Sequence, residues 1–164
     1  MKNGIITISR EYGSGGREIA KRAAEKLGIP FYDKELIYKA AEESGFTPEF
    51  VAEKEQRLGS SFFFNFSVGG IYGMAYPREP EMKELPVAEQ IYLAQKKVIE
   101  DLAAKGPCIF VGRCADYILK ERTDLLKVFI YADRRARECR AVEQYGRVEE
   151  NVSQVVRQID KQRR

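Results

Sequence analysis

Residues 5–28 read IITISREYGSGGREIAKRAAEKLG, and their order decides the fold class. Ile5 to Ser9 is a short apolar run rich in β-branched residues, bounded by Gly4 and by the glycine-rich REYGSGG. Such a run suits a strand buried on both faces of a parallel sheet. From Arg17 to Leu27 the spacing predicts a helix with Ile19, Ala23 and Leu27 on one face, stopped by Gly28 and Pro30. The chain therefore opens as strand, Gly-rich loop, helix.

Working outward, Phe31-Tyr32 is a short second strand leading into Asp33, and 34–44 and 48–58 read as helices. Residues 59–85 break the pattern and mix Phe62, Phe63, Phe64, Phe66, Tyr72 and Tyr76 with Gly, Pro and Ser. Two readings stand: a hydrophobic loop packed on the core, or a mobile acceptor-side insertion whose aromatics close over a base or pack against a second subunit. Val87, Ile91, Ala94, Val98 and Leu102 have helical spacing between Pro86 and Gly106. Cys108 to Val111 is the next buried strand, ending in Gly112-Arg113, and Leu126 to Tyr131 another, ending at Ala132-Asp133. Two helices follow, the second with Val152, Val155, Val156 and Ile159 on one face. Strands alternating with helices predict an α/β domain with a parallel sheet. Such sheets bind ligands beyond the carboxyl ends of their strands. That draws attention to Ser9–Arg17, Asp33, Gly112–Asp116 and Asp133.

The 164 residues suit a single domain with a sizeable core. Lys and Arg number 28 against 25 Asp and Glu, a net charge of +3, too mild to imply nucleic-acid or membrane binding as a main role. The sequence has no histidine, which excludes Ser-His-Asp and Cys-His nucleophiles and the usual zinc sites. Cys108, Cys114 and Cys139 are odd in number and lack C-x-x-C spacing, as expected of reduced thiols. No signal-peptide pattern and no apolar run of the ~18 residues a membrane helix needs is present. The expected location is the cytoplasm.

Chemistry concentrates at GSGGRE, Gly13 to Glu18. Glycines let backbone N–H groups curl around an anion, and the helix that follows adds its positive end. The dinucleotide pattern G-x-G-x-x-G fails because Glu18 stands at the last Gly. The pattern G-x-x-x-x-G-K-[ST] is also incomplete. With Gly16 as its second Gly, Arg17 takes the Lys position and Glu18 the Ser/Thr position, leaving Ser14 as the nearby hydroxyl for Mg2+. Asp33 reads as a helix cap or as a carboxylate accepting from ribose, with the cap favoured on the residues alone. Arg113, at a strand end, suits a bidentate phosphate clamp. Asp116 either pairs with it or caps the next helix. Arg134, Arg135, Arg137, Arg140 and Arg147 form a basic run, which is either a solvated face or a lid reaching a transferring phosphoryl group. Asp160 and Arg163 share a helical face, as a surface ion pair or a nucleotide clamp.

Taken together, ISREYGSGGREIAKRAAEKLGIPFYDKELI and KGPCIFVGRCADYIL resemble the cytidylate-kinase-like family of nucleoside monophosphate kinases. The resemblance implies a three-layer P-loop fold with strand order 2-3-1-4-5, the fifth strand being absent from this chain and the sheet edge left exposed. It implies ATP as donor with Mg2+, and a nucleoside monophosphate, CMP-like, as the small-molecule acceptor. By that likeness Gly13, Ser14, Gly15, Gly16 and Arg17 cradle the donor phosphates. Asp33, Arg113, Asp160 and Arg163 hold the acceptor, and Arg137 and Arg140, in a lid at 133–150, stabilise the transferred group. Cys114 stands where Asp is usual after Gly-Arg. The expected activity is that of a phosphotransferase. The alternatives are a non-catalytic nucleotide-binding protein with a degenerate P-loop, and a nucleic-acid binder using the basic run.

Overall fold

The computed structural model describes residues 4–33, 35–47, 49–50 and 85–163. The helix expected at 48–58 and the insertion at 59–85 lie, but for a few flanking residues, outside them. Four strands, β1 (Ile5–Arg10), β2 (Phe31–Tyr32), β3 (Cys108–Val111) and β4 (Leu125–Ile130), form one sheet in the order β2-β3-β1-β4. All three pairings are parallel; Ile5 stands opposite Cys108 on one side and Leu125 on the other. The chain is thus an α/β fold with β1 at the centre, as its apolar run predicts.

Alternation along β3 divides the core into two layers. Cys108 and Phe110 join Ile5 under α3 (Val87–Ala104), where Val98, Ile99 and Leu102 pack. Ile109 and Val111 join Ile8 under α1 (Gly16–Leu27). Because side chains alternate with period two, one strand supplies both layers. The stripe that α1 buries is Gly16, Ala20 and Ala24; Ile19 and Leu27 are exposed. Small side chains bring the helix axis close to the sheet, so the row that fits is the small one rather than the bulky row expected at Ile19, Ala23 and Leu27. In α3, Ile91, Ala94, Val98 and Leu102 are buried as expected, but Val87 is exposed.

Besides α2 (Glu35–Ser44), the described residues form α4 (Ala115–Ile118), α5 (Arg134–Glu143) and α6 (Val152–Arg163), the last entered through a 3-10 turn at Glu149–Asn151. β4 ends one residue before the expected Tyr131, which is strongly exposed. Among the described residues β4 is a sheet edge, and its Leu126 and Phe129 face solvent. The apolar stripe of α6 packs on Ala141 and Val142 of α5 and on Tyr12 of the loop after β1. That docking, rather than one on the sheet, sets where Asp160 stands.

Candidate nucleotide-binding site

The loop between β1 and α1 is shaped by two left-handed glycines, Gly13 (φ 77) and Gly15 (φ 78). Both positions disfavour a Cβ. A Cβ on Gly13 would stand 2.5 Å from the carbonyl oxygen of Arg137, so the α5 backbone presses directly on the loop. Gly15 is the N-cap of α1, which has no side-chain cap. Ser14 Oγ donates to the Glu11 carbonyl at 2.9 Å and closes the turn. The loop lines a cleft of about 290 Å3, with Tyr145 on its far wall.

Arginines crowd this loop, and their partners differ. Arg17 Nε donates to Asp33 Oδ2 at 2.6 Å, and Arg10 Nη2 lies 4.0 Å from Asp33 Oδ1. Asp33, buried at the end of β2, therefore binds the first turn of α1 by its side chain. Its carbonyl accepts from Leu36 N at the start of α2. Arg137 is buried. Its Nη1 donates to Asp160 Oδ2 at 2.7 Å and to the Tyr12 carbonyl at 3.2 Å. Its Nε lies 3.3 Å from Glu11 Oε2, an ion pair outside hydrogen-bond geometry. Arg140 Nη1 donates to the Gly13 carbonyl at 2.7 Å, and its guanidinium lies against Gly15. Among the described residues Arg140 has no acidic partner within ion-pair distance. Burial, and after it the Glu18 carboxylate, raise the Tyr145 hydroxyl above its ordinary range.

The other end of the cleft region is strained. The chain leaves β3 through Gly112, Arg113 and Cys114 with φ of 70, 61 and 53. Left-handed geometry costs a non-glycine residue roughly 1–2 kcal/mol, so Arg113 is held at its strand end against that cost. Glycine suits this left-handed position, and a Cβ there would displace the Arg10 guanidinium. Asp116 sits inside the turn α4, whose cap position is Cys114, so it does not cap the helix. Arg163 closes α6, and its side chain lies outside the described residues.

The structure thus gathers Gly13–Gly16, Arg137, Arg140 and Asp160 around the loop, and joins Arg17 to Asp33 beside it. Glu11, Tyr12, Tyr145 and Arg147 belong to this cluster too, and sequence reading singled out none of them as loop partners. Arg147 Nε donates to the Tyr12 hydroxyl at 3.1 Å, and the Tyr12 and Tyr145 rings lie 5.6 Å apart. Only the helix α5 brings these distant positions together. The position of Glu11 and Tyr12 directly after β1 was the one available signal.

A phosphate fits this site: the glycines admit close approach, the helix end is positive, and Arg140 adds charge. For a metal, no cluster of three acidic or thiol ligands occurs among the described residues. The buried Ser14 hydroxyl is turned into the loop. A Mg2+ would therefore be held chiefly by the nucleotide's own phosphates, as this ion commonly is.

A parallel sheet with a Gly-rich loop between a central strand and the first helix defines an α/β protein with the strand–loop–helix context of an anion site. The model of the cytidylate kinase-like family matches residues 5–164. The chain belongs to that family. Among solved structures, an uncharacterized protein from Eubacterium ventriosum is 27% identical, with TM-score 0.63, over 98% of this chain and 73% of that one. TT1252 from Thermus thermophilus is 17% identical, TM-score 0.53, over 96% and 81%. A shikimate kinase from Acinetobacter baumannii is 16% identical, TM-score 0.48, over 98% and 75%. No curated protein matches the chain. No helix among the described residues is long and apolar enough to cross a membrane.

Proposed function

We propose that this protein is an ATP-dependent phosphotransferase moving the γ-phosphoryl group to a nucleoside monophosphate, CMP-like. Family membership supports the kinase class. The observation that carries the donor site is the Arg140 guanidinium, without an acidic partner among the described residues, lying on a loop of left-handed glycines at the start of α1, which has no side-chain cap. Backbone N–H groups of Gly13, Gly15 and Gly16 hold the donor phosphates, and Arg140 supplies the charge that a Lys supplies in the intact motif. Arg17 bridges the donor loop to Asp33, and Asp33, Arg113 and Arg163 serve the acceptor side. In the transfer, an acceptor phosphate oxygen attacks the γ-phosphorus as the bond to the bridging β–γ oxygen breaks, leaving ADP. Positioning and charge neutralisation do most of this work, and an ionised acceptor phosphate needs no base, so the lack of histidine is no obstacle. Mg2+, when bound, would neutralise charge across the β- and γ-phosphates.

A second reading, a nucleotide-binding protein without turnover, is favoured by the Ser14 hydroxyl and Arg17 both being engaged within the protein. One experiment separates them: calorimetry with a non-hydrolysable ATP analogue, then ADP formation with a panel of monophosphates. We expect analogue binding, monophosphate-dependent ADP formation, and a roughly 10- to 100-fold weaker analogue affinity in Arg140→Ala, the worth of a charge-assisted bond. Binding without ADP formation on any monophosphate would establish the second reading. No binding at all would refute both.

A further inference from the structure

The loop's geometry is held from outside the loop. Tyr12, the residue that leads into the glycines, is gripped at four points by the α5–α6 hairpin. Its backbone N–H donates to Asp160 Oδ1 at 2.8 Å. Its carbonyl accepts from Arg137 Nη1, and its hydroxyl from Arg147 Nε. Its ring packs with Ala141, Val152 and Val156. Asp160 and Arg137 are themselves joined at 2.7 Å, so one partly buried ion pair spans both backbone polar groups of a single residue. One residue later, Gly13 lies with its Cα side against the Arg137 carbonyl, where any side chain would collide.

The geometry points to Arg137 and Asp160 as positioning residues of the donor loop, a latch that sets the orientation of the peptides entering the glycines, with Asp160 working on the donor side rather than at the acceptor. This rests on the phosphotransferase reading for its consequence, though not for its geometry. Both Asp160 oxygens are engaged, Oδ1 by Tyr12 and Oδ2 by Arg137. An acceptor ribose would have to compete with a charge-assisted bond inside a partly buried network, and such bonds are the strong ones.

The test compares two ligands and one ligand-free measurement. Affinities of the whole chain for a non-hydrolysable ATP analogue and for CMP are measured in wild type, Asp160→Asn, Asp160→Ala and Arg137→Lys. We expect Asp160→Ala to weaken the ATP analogue at least tenfold while CMP affinity stays within twofold. Asp160→Asn, which keeps an acceptor for the Tyr12 N–H, should recover part of the loss. The reverse pattern, weaker CMP with unchanged ATP analogue, would overturn the proposal and return Asp160 to the acceptor. Amide hydrogen exchange of Tyr12 gives an answer that needs no nucleotide. The wild-type N–H should be protected, and exchange at least a hundredfold faster in Asp160→Ala, or in Asp160→Asn if the Ala variant does not fold. An unprotected Tyr12 amide in wild type would refute the latch even where both ligands bind. Protection without nucleotide binding would leave the latch standing and remove the kinase reading alone.

Discussion

Gly13→Ala tests the contact on which the loop's shape depends, and Gly28→Ala is its control. Both glycines are left-handed, at φ 77 and φ 64, so both substitutions carry the same backbone penalty, roughly 1–2 kcal/mol. That penalty is partly offset by the stiffer unfolded chain, by about 0.4–1 kcal/mol. They differ in surroundings. Nothing lies within 4 Å of a Cβ on Gly28, the C-cap of α1, whereas on Gly13 it meets the Arg137 carbonyl oxygen at 2.5 Å and its carbon at 3.0 Å. The obstacle is backbone, so it cannot rotate away. Either the loop or α5 must retreat by most of an ångström, at an overpacking cost of about 1–3 kcal/mol. The retreat also lengthens the Arg137 bond to Tyr12. Gly28→Ala should therefore lose about 1 kcal/mol and Gly13→Ala about 2–4 kcal/mol. For a domain of this size each kcal/mol lowers Tm by about 2–4 °C, so circular-dichroism melts should separate the two variants clearly. Equal losses in both would show that α5 does not press on the loop, and would refute the reasoning.

Two further outcomes are expected. Thr7, buried in β1, has no partner for its Oγ1 among the described residues; Thr7→Val keeps its shape, removes the unpaired hydroxyl, and should raise stability by about 1 kcal/mol in urea unfolding. Burial pushes the Cys108 thiol up to about 11 from an ordinary 9.0. Between those pH values the unfolded chain sheds a proton that the folded chain keeps, so stability from this group is intact below pH 9 and is lost as pH rises towards 11. The loss is on the order of 2 kcal/mol, and the wild-type curve should fall more steeply there than that of Cys108→Ala.

Much of this architecture is local and therefore legible in the sequence. β1 and β3 are short apolar runs bounded by glycine, and a run of that kind has few alternatives to a buried parallel strand. The glycine loop is legible for the same reason: Gly13 and Gly15 adopt left-handed geometry, a property of the residue and its neighbours. Even the sheet order could be expected, through the resemblance carried by the two motif strings. What the sequence left open are choices among equivalent neighbours. Arg10, Arg17, Arg137 and Arg140 are alike as letters. Only the packing of α6 on α5 and Tyr12 buries Arg137 between Glu11 and Asp160 and sets Arg140 on the glycines, with no acid beside it among the described residues. That Asp33 also takes Arg17 as a partner, at 2.6 Å, shows only once the fold sets β2 beside α1. The buried row of α1 likewise depended on how closely the helix approaches the sheet, which small residues permit and periodicity alone does not state. The partner of a charge is set by distance across the fold, because electrostatic and hydrogen-bond energies fall off within a few ångströms, and those distances exist only once the helices have packed.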